Sequence, residues 1–117
     1  MPGLSIHAVD VARGIVASGL RVRVDRLDGE VRVALADGAI GANGLLESSE
    51  IAGILQPGVY EVQFSIGDYL KAQHADMPAT PFLDLVPFRF GVDSPQAHYH
   101  LPFKFTAWGF SCFRGGA

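Results

Sequence analysis

The sequence predicts a two-sheet β-sandwich with one short α-helix, and three observations carry that prediction. Apolar and polar residues alternate with a period of two along most of the chain. Glycines and prolines punctuate it at short intervals, and only one stretch has helical spacing. At 117 residues the chain is expected to form a single domain over 1–117, and a chain of this size buries about two-thirds of its unfolded surface.

The elements follow in order. Leu4 to Asp10 reads as an opening strand. Leu20, Val22 and Val24 alternate with Arg21, Arg23 and Asp25, and Val31, Val33 and Leu35 alternate with Arg32, Ala34 and Ala36. Leu27-Asp28-Gly29-Glu30 is a hairpin signal between these two runs. A helical turn fits Ser48 to Ile51. Tyr60, Val62 and Phe64 alternate with Glu61, Gln63 and Ser65, and the one helix covers 66–74, with Asp68 as its expected cap. Phe88, Phe90 and Val92 form the next alternating run. Ala97 to Phe105 and Trp108 to Arg114 close the chain as strands.

Composition excludes several functions. Nine basic against twelve acidic residues give a net charge of −3, so no electrostatic footprint for nucleic acid is present. No apolar run approaches the length of a membrane span. The N-terminal segment lacks the basic and hydrophobic regions of a secretory signal, which makes the cytoplasm the expected location. The single cysteine, Cys112, excludes an internal disulfide framework and a Cys-rich zinc module. Hydrophobic residues at 49% exceed what a chain of this size needs for its core, which points to an oligomer.

The unusual chemistry lies in the segment from Ala97 to Phe105. Ala97, Tyr99, Leu101, Phe103 and Phe105 share one face of the strand, while His98, His100, Pro102 and Lys104 share the other. Pro102 limits pairing on one side and suits an edge or interface. Three readings fit the histidine pair: a satisfied surface pair without function, a metal site with His7 as third ligand, and general acid–base catalysis near neutral pH. No acidic residue stands at an obvious companion position for a metal, so no metal or other cofactor is expected.

The motifs narrow these readings. Leu4-Ser5-Ile6-His7-Ala8-Val9-Asp10 with Val11 to Gly14, Pro57-Gly58-Val59-Tyr60-Glu61-Val62, the Gly67-Asp68-Tyr69 helix start, and His98-Tyr99-His100-Leu101-Pro102 through Trp108 to Gly116 occur in this order along the whole chain. Together they resemble the transthyretin and 5-hydroxyisourate hydrolase family. The resemblance implies a transthyretin-like sandwich of about eight strands with one short helix. It also implies a homotetramer, a dimer of dimers, with small-molecule sites in a channel between the dimers. His7 and His100 match the two histidines of the hydrolase branch, and His98 is the first residue of its His-Tyr-His. The implied reaction opens a cyclic ureide ring in purine breakdown, one imidazole activating water and a cation stabilising the oxyanion.

Two departures fall on the implied site. Gly41-Ala42-Asn43-Gly44-Leu45-Leu46 places Leu45 where the hydrolases carry an arginine. The chain closes on Phe113-Arg114-Gly115-Gly116-Ala117, where the hydrolases end in Tyr-Arg-Gly-Ser. Lys104, on the His100 face, stands where family members are apolar and is the candidate replacement cation; the alternative is a lysine that snorkels to the channel mouth. Leu45, His98, Ser111, Phe113 and Arg114 are the candidate substrate-binding residues. Arg114 serves equally as a structural link, Cys112 as a buried small residue and His74 as a solvated one. Three activities remain open: the family hydrolase, a repurposed enzyme using His7, His100 and Lys104 on a less polar cyclic metabolite, and a ligand carrier without turnover.

Overall fold

The computed structural model describes residues 2–116, so that Ala117, whose effect on the channel the sequence raises, lies outside the described residues. Eight strands form two four-stranded sheets. The first sheet has the order β2 (Ile15–Val16), β1 (Gly3–Asp10), β7 (His98–Phe105), β8 (Phe110–Cys112). The second has the order β4 (Val31–Ala39), β3 (Arg21–Asp28), β5 (Gly58–Ser65), β6 (Leu85–Val92). All neighbours are antiparallel except β1 and β7, which run parallel. Helix α1 (Ser49–Ala52) leads into β5, and α2 (Ile66–Gln73) follows it.

The core lies where the predicted inward faces meet. Leu4, Ile6 and Ala8 of β1 and Tyr99, Leu101, Phe103 and Phe105 of β7 are buried, as are Val22 and Val24 of β3 and Tyr60, Val62 and Phe64 of β5. Phe64 and Phe103 stack between the sheets with ring centroids 3.7 Å apart. Each such side chain, fully buried, contributes on the order of 2 kcal/mol relative to exposure.

The structure corrects the reading in four places. The helix begins at Ile66 with Ser65 in the capping position, and Asp68 sits in its first turn instead, where a carboxylate favours the positive helix end. The last strand is Phe110–Cys112, shorter than Trp108 to Arg114, because its ladder with β7 breaks at Pro102, which has no N–H, and resumes in the same register only at the His100–Gly115 bridge. The β3–β4 register shifts between Val24 and Asp25, passing over Leu35, so Ala36 is buried while Val31 and Val33 are 61% and 48% exposed. Asp25 and Glu61, on the outward face expected to be wet, are 1% and 5% exposed. They are covered by the guanidinium groups of Arg23, Arg32 and Arg89. The two-residue β2 carries too few residues for a period to be legible.

Candidate active site

Parallel pairing of β1 with β7 assembles the site. The register sets Gly3 opposite His98, Ser5 opposite His100, His7 opposite Pro102 and Val9 opposite Lys104. Because side chains alternate along both strands, Ser5 and His7 share the outward face with His98, His100 and Lys104. The Ser5 hydroxyl lies 2.8 Å from His98 Nε2 and 2.7 Å from His100 Nδ1. On the far side, His98 Nδ1 stands 3.5 Å from the Pro2 carbonyl oxygen.

Two irregular segments close in on the histidines. The segment 41–46 lies antiparallel along β1: the Ala8 N–H donates to the Gly44 carbonyl at 3.0 Å and the Leu46 N–H to the Ile6 carbonyl at 3.1 Å. Leu45 is thereby bridged to His7. Gly44 is required here, since its φ is +84° and a Cβ would stand 2.5 Å from His7 Nε2. At the other end, the Gly115 N–H donates to the His100 carbonyl at 2.7 Å. The positions of the two departures from the hydrolase pattern, Leu45 and Gly116, thus stand at or directly after backbone contacts of His7 and His100.

Burial, His7 and His98, in that order, all lower the pKa of His100 below the usual histidine value. An imidazole so placed is neutral at pH 7 and has a nitrogen available to accept a proton. A cavity of about 420 Å³ opens beside Ser5 and His98. Leu45, Ser48 and Ile51 help to line it, while His7 and His100 stand outside its wall. Among the described residues no group of three or more His, Cys, Asp or Glu side chains is arranged to hold a metal ion.

The other candidates are dispersed. Lys104 is exposed and opposite Ser111 on β8. It stands four positions beyond His100, roughly 13 Å along the strand. Phe113 is 48% exposed. The Arg114 guanidinium lies 4.1 Å over the Tyr99 ring and donates to the His98 carbonyl at 3.2 Å, holding the C-terminal segment against β7. Cys112 faces inward opposite Phe103, and burial pushes its thiol up to about 12, an inert value. His74 is exposed at the end of α2. Sequence reasoning missed Ser5. Its signal was the period of two that aligns it with His7, but a lone serine gains meaning only when β7 is laid beside it.

Comparison with known proteins identifies the family and the fold. A model of the HIUase/transthyretin family matches residues 4–115. The 5-hydroxyisourate hydrolase of Mesorhizobium japonicum is 40% identical over 113 residues, covering 96% of this chain and 90% of the relative. That of Deinococcus radiodurans is 38% identical over 115 residues, covering 97% and 96%. Among solved structures, (S)-allantoin synthase superposes with a TM-score of 0.84 at 30% identity; the match covers 97% of this chain but 43% of that one. The Klebsiella pneumoniae 5-hydroxyisourate hydrolase superposes with a TM-score of 0.79 at 26% identity, covering 99% of this chain and all of that one. With a family model spanning nearly its whole length and relatives aligned end to end, the chain belongs to the HIUase/transthyretin family.

Proposed function

We propose that the protein is a hydrolase that opens the cyclic ureide ring of 5-hydroxyisourate in purine breakdown. The observation that carries this reading is the meeting of His7 and His100 on one sheet face, each clasped by a backbone segment, in a chain of this family. His100 Nε2 takes a proton from water while the water oxygen bonds to the ring carbonyl carbon, and the carbonyl electron pair moves to its oxygen. When the carbonyl re-forms, the carbon–nitrogen bond breaks and the ring nitrogen leaves with the proton that His100 returns. His7, one pleat along on the neighbouring strand, shares this acid–base work.

The oxyanion needs a positive partner, and Leu45 offers none. Lys104 takes that role from another copy of the chain, because its own His100 is beyond the reach of its side chain. This reading requires a homotetramer with sites between dimers, walled by Leu45, His98, Ser111, Phe113 and Arg114. It is supported by the exposure of Trp108 (77%), Phe110 and Phe113 beside the short edge strand β8. We place the enzyme in the cytoplasm, in keeping with a lone cysteine that is not a disulfide partner.

The test is the absorbance decay of freshly generated 5-hydroxyisourate with the native chain and with His100→Ala. Decay well above the spontaneous rate, lost in the variant, is expected. Decay at the spontaneous rate with the native chain would retire the reading.

A further inference from the structure

Four groups stand in line on the β1–β7 face: the Pro2 carbonyl, His98, Ser5 and His100. Their separations are 3.5 Å from Pro2 oxygen to His98 Nδ1, 2.8 Å from His98 Nε2 to Ser5 Oγ, and 2.7 Å from Ser5 Oγ to His100 Nδ1. The proton inventory of this line fixes its direction. A carbonyl oxygen only accepts, so the hydrogen on His98 is on Nδ1. Neutral His98 then has a bare Nε2, which accepts the one hydrogen of the Ser5 hydroxyl. The Ser5 oxygen is left to accept, and the hydrogen that it accepts is the one on His100 Nδ1. Reversing the line would set two lone pairs, of Pro2 and His98 Nδ1, against each other.

We infer that Ser5 is a positioning residue that, through His98 and the Pro2 carbonyl, holds His100 in the Nδ1–H tautomer and so turns a bare Nε2 outward. The nitrogen opposite a hydrogen-bonded ring N–H is the one free to act as base. The role of that base in hydrolysis rests on the proposed function; the tautomer does not. The titratable and charged groups around His100 are His7 on β1, His98 on its own strand, Glu47 at the cavity that Ser5 and His98 line, and Arg114, held on the Tyr99 ring and the His98 carbonyl. None of them is bonded to His100 Nδ1, so Ser5 alone sets its proton. The relay needs neutral rings, a condition that the burial of His100 favours.

Long-range proton–nitrogen spectra of the nitrogen-15-labelled full chain, taken above the titration of His100, read both ring nitrogens directly. In the native chain His100 Nδ1 is expected to carry the hydrogen and Nε2 to be bare. Ser5→Ala should erase that preference and lower kcat about 10- to 100-fold with little change in KM, by analogy with the loss when the hydrogen-bond partner of a metal-bound histidine is removed. Ser5→Thr, which keeps the hydroxyl, should restore both. A native His100 protonated on Nε2, or a tautomer unchanged in Ser5→Ala, overturns the inference. Failure of the native chain to hydrolyse hydroxyisourate overturns the functional reading instead and leaves the spectra to decide the relay. Should Ser5→Ala fold poorly, the native spectra and Ser5→Thr remain decisive.

Discussion

The outward faces of the two sheets are built from the same alternation and behave oppositely. On the second sheet, Asp25 accepts from Arg23 at 2.9 Å and from Arg32 at 3.4 Å, while Glu61 accepts from Arg32, from Arg89 at 3.4 Å and from Gln63 at 3.3 Å. The carboxylates bury themselves beneath their partners, and the hydrogen bond from Arg32 above all holds Glu61 below the usual carboxylate range. On the first sheet the polar groups clustered around Ser5 are three imidazoles and one hydroxyl, with no carboxylate among them. Among the described residues, His7 and His100 Nε2 have no side-chain partner. A polar face whose groups satisfy one another is structural; one with a neutral nitrogen left over has chemistry to offer.

Substitutions sharpen that contrast, and the largest effect is expected at His100. His100→Ala removes the base and should lower kcat/KM by about two to four decades at unchanged fold, read in the hydroxyisourate assay. Next is the cation. Lys104→Met should cost about two decades in kcat with the native elution volume unchanged in size-exclusion chromatography, the loss typical of one oxyanion partner. Adding Leu45→Arg should return most of it, since position 45 is bridged to His7. Full activity in Lys104→Met would assign that lysine to the channel mouth.

Both faces lose on the acid side, the first in activity and the second in stability. The depressed pKa of His100 means that base catalysis is lost only as pH falls below the ordinary histidine value of 6.5, so the acid limb of kcat/KM should lie below it. Glu61, also depressed, contributes stability that is complete above the unfolded carboxylate pKa and disappears as pH falls through its lower folded value. Glu61→Gln should therefore remove part of the native chain's loss of thermal midpoint between neutral and acid pH, and cost about 1–2 kcal/mol at pH 7 in denaturant unfolding. An identical acid sensitivity in the variant would place the acid lability elsewhere. The smallest effect is expected at Val33, 48% exposed: Val33→Thr should change stability by less than about 0.5 kcal/mol.

How far the sequence reached depends on whether the cause was local. Alternation in 20–25, 60–65 and 97–105 is a property of neighbours in the chain, and the strands and their buried faces came out as read. The helix was legible too, but its cap was not, because Ser65 belongs by pattern to the preceding strand. The slip at Leu35 was invisible for another reason: a bulge is a mismatch between two strands, and neither strand encodes it alone. The burial of Glu61 likewise depends on Arg89 arriving from the adjacent β6 and Arg32 reaching across β3 from β4.

The site divides in the same way. His98, His100 and Lys104 stand out from one-dimensional spacing, while His7 and the departures at Leu45 and Gly116 are legible only against the family resemblance. Only the tertiary structure decided that Ser5 stands between His98 and His100, that Gly44 lies on the His7 ring, and that Lys104 is out of reach of its own His100. The first follows from a parallel pairing of residues more than ninety positions apart, the second from the 41–46 segment laid along β1 and the third from the extended course of β7. The sequence by itself determined the sandwich, its core faces and the imidazoles, because periodicity and side-chain chemistry are local. Register between distant strands fixed which groups touch, because it is set by the packing of the whole core.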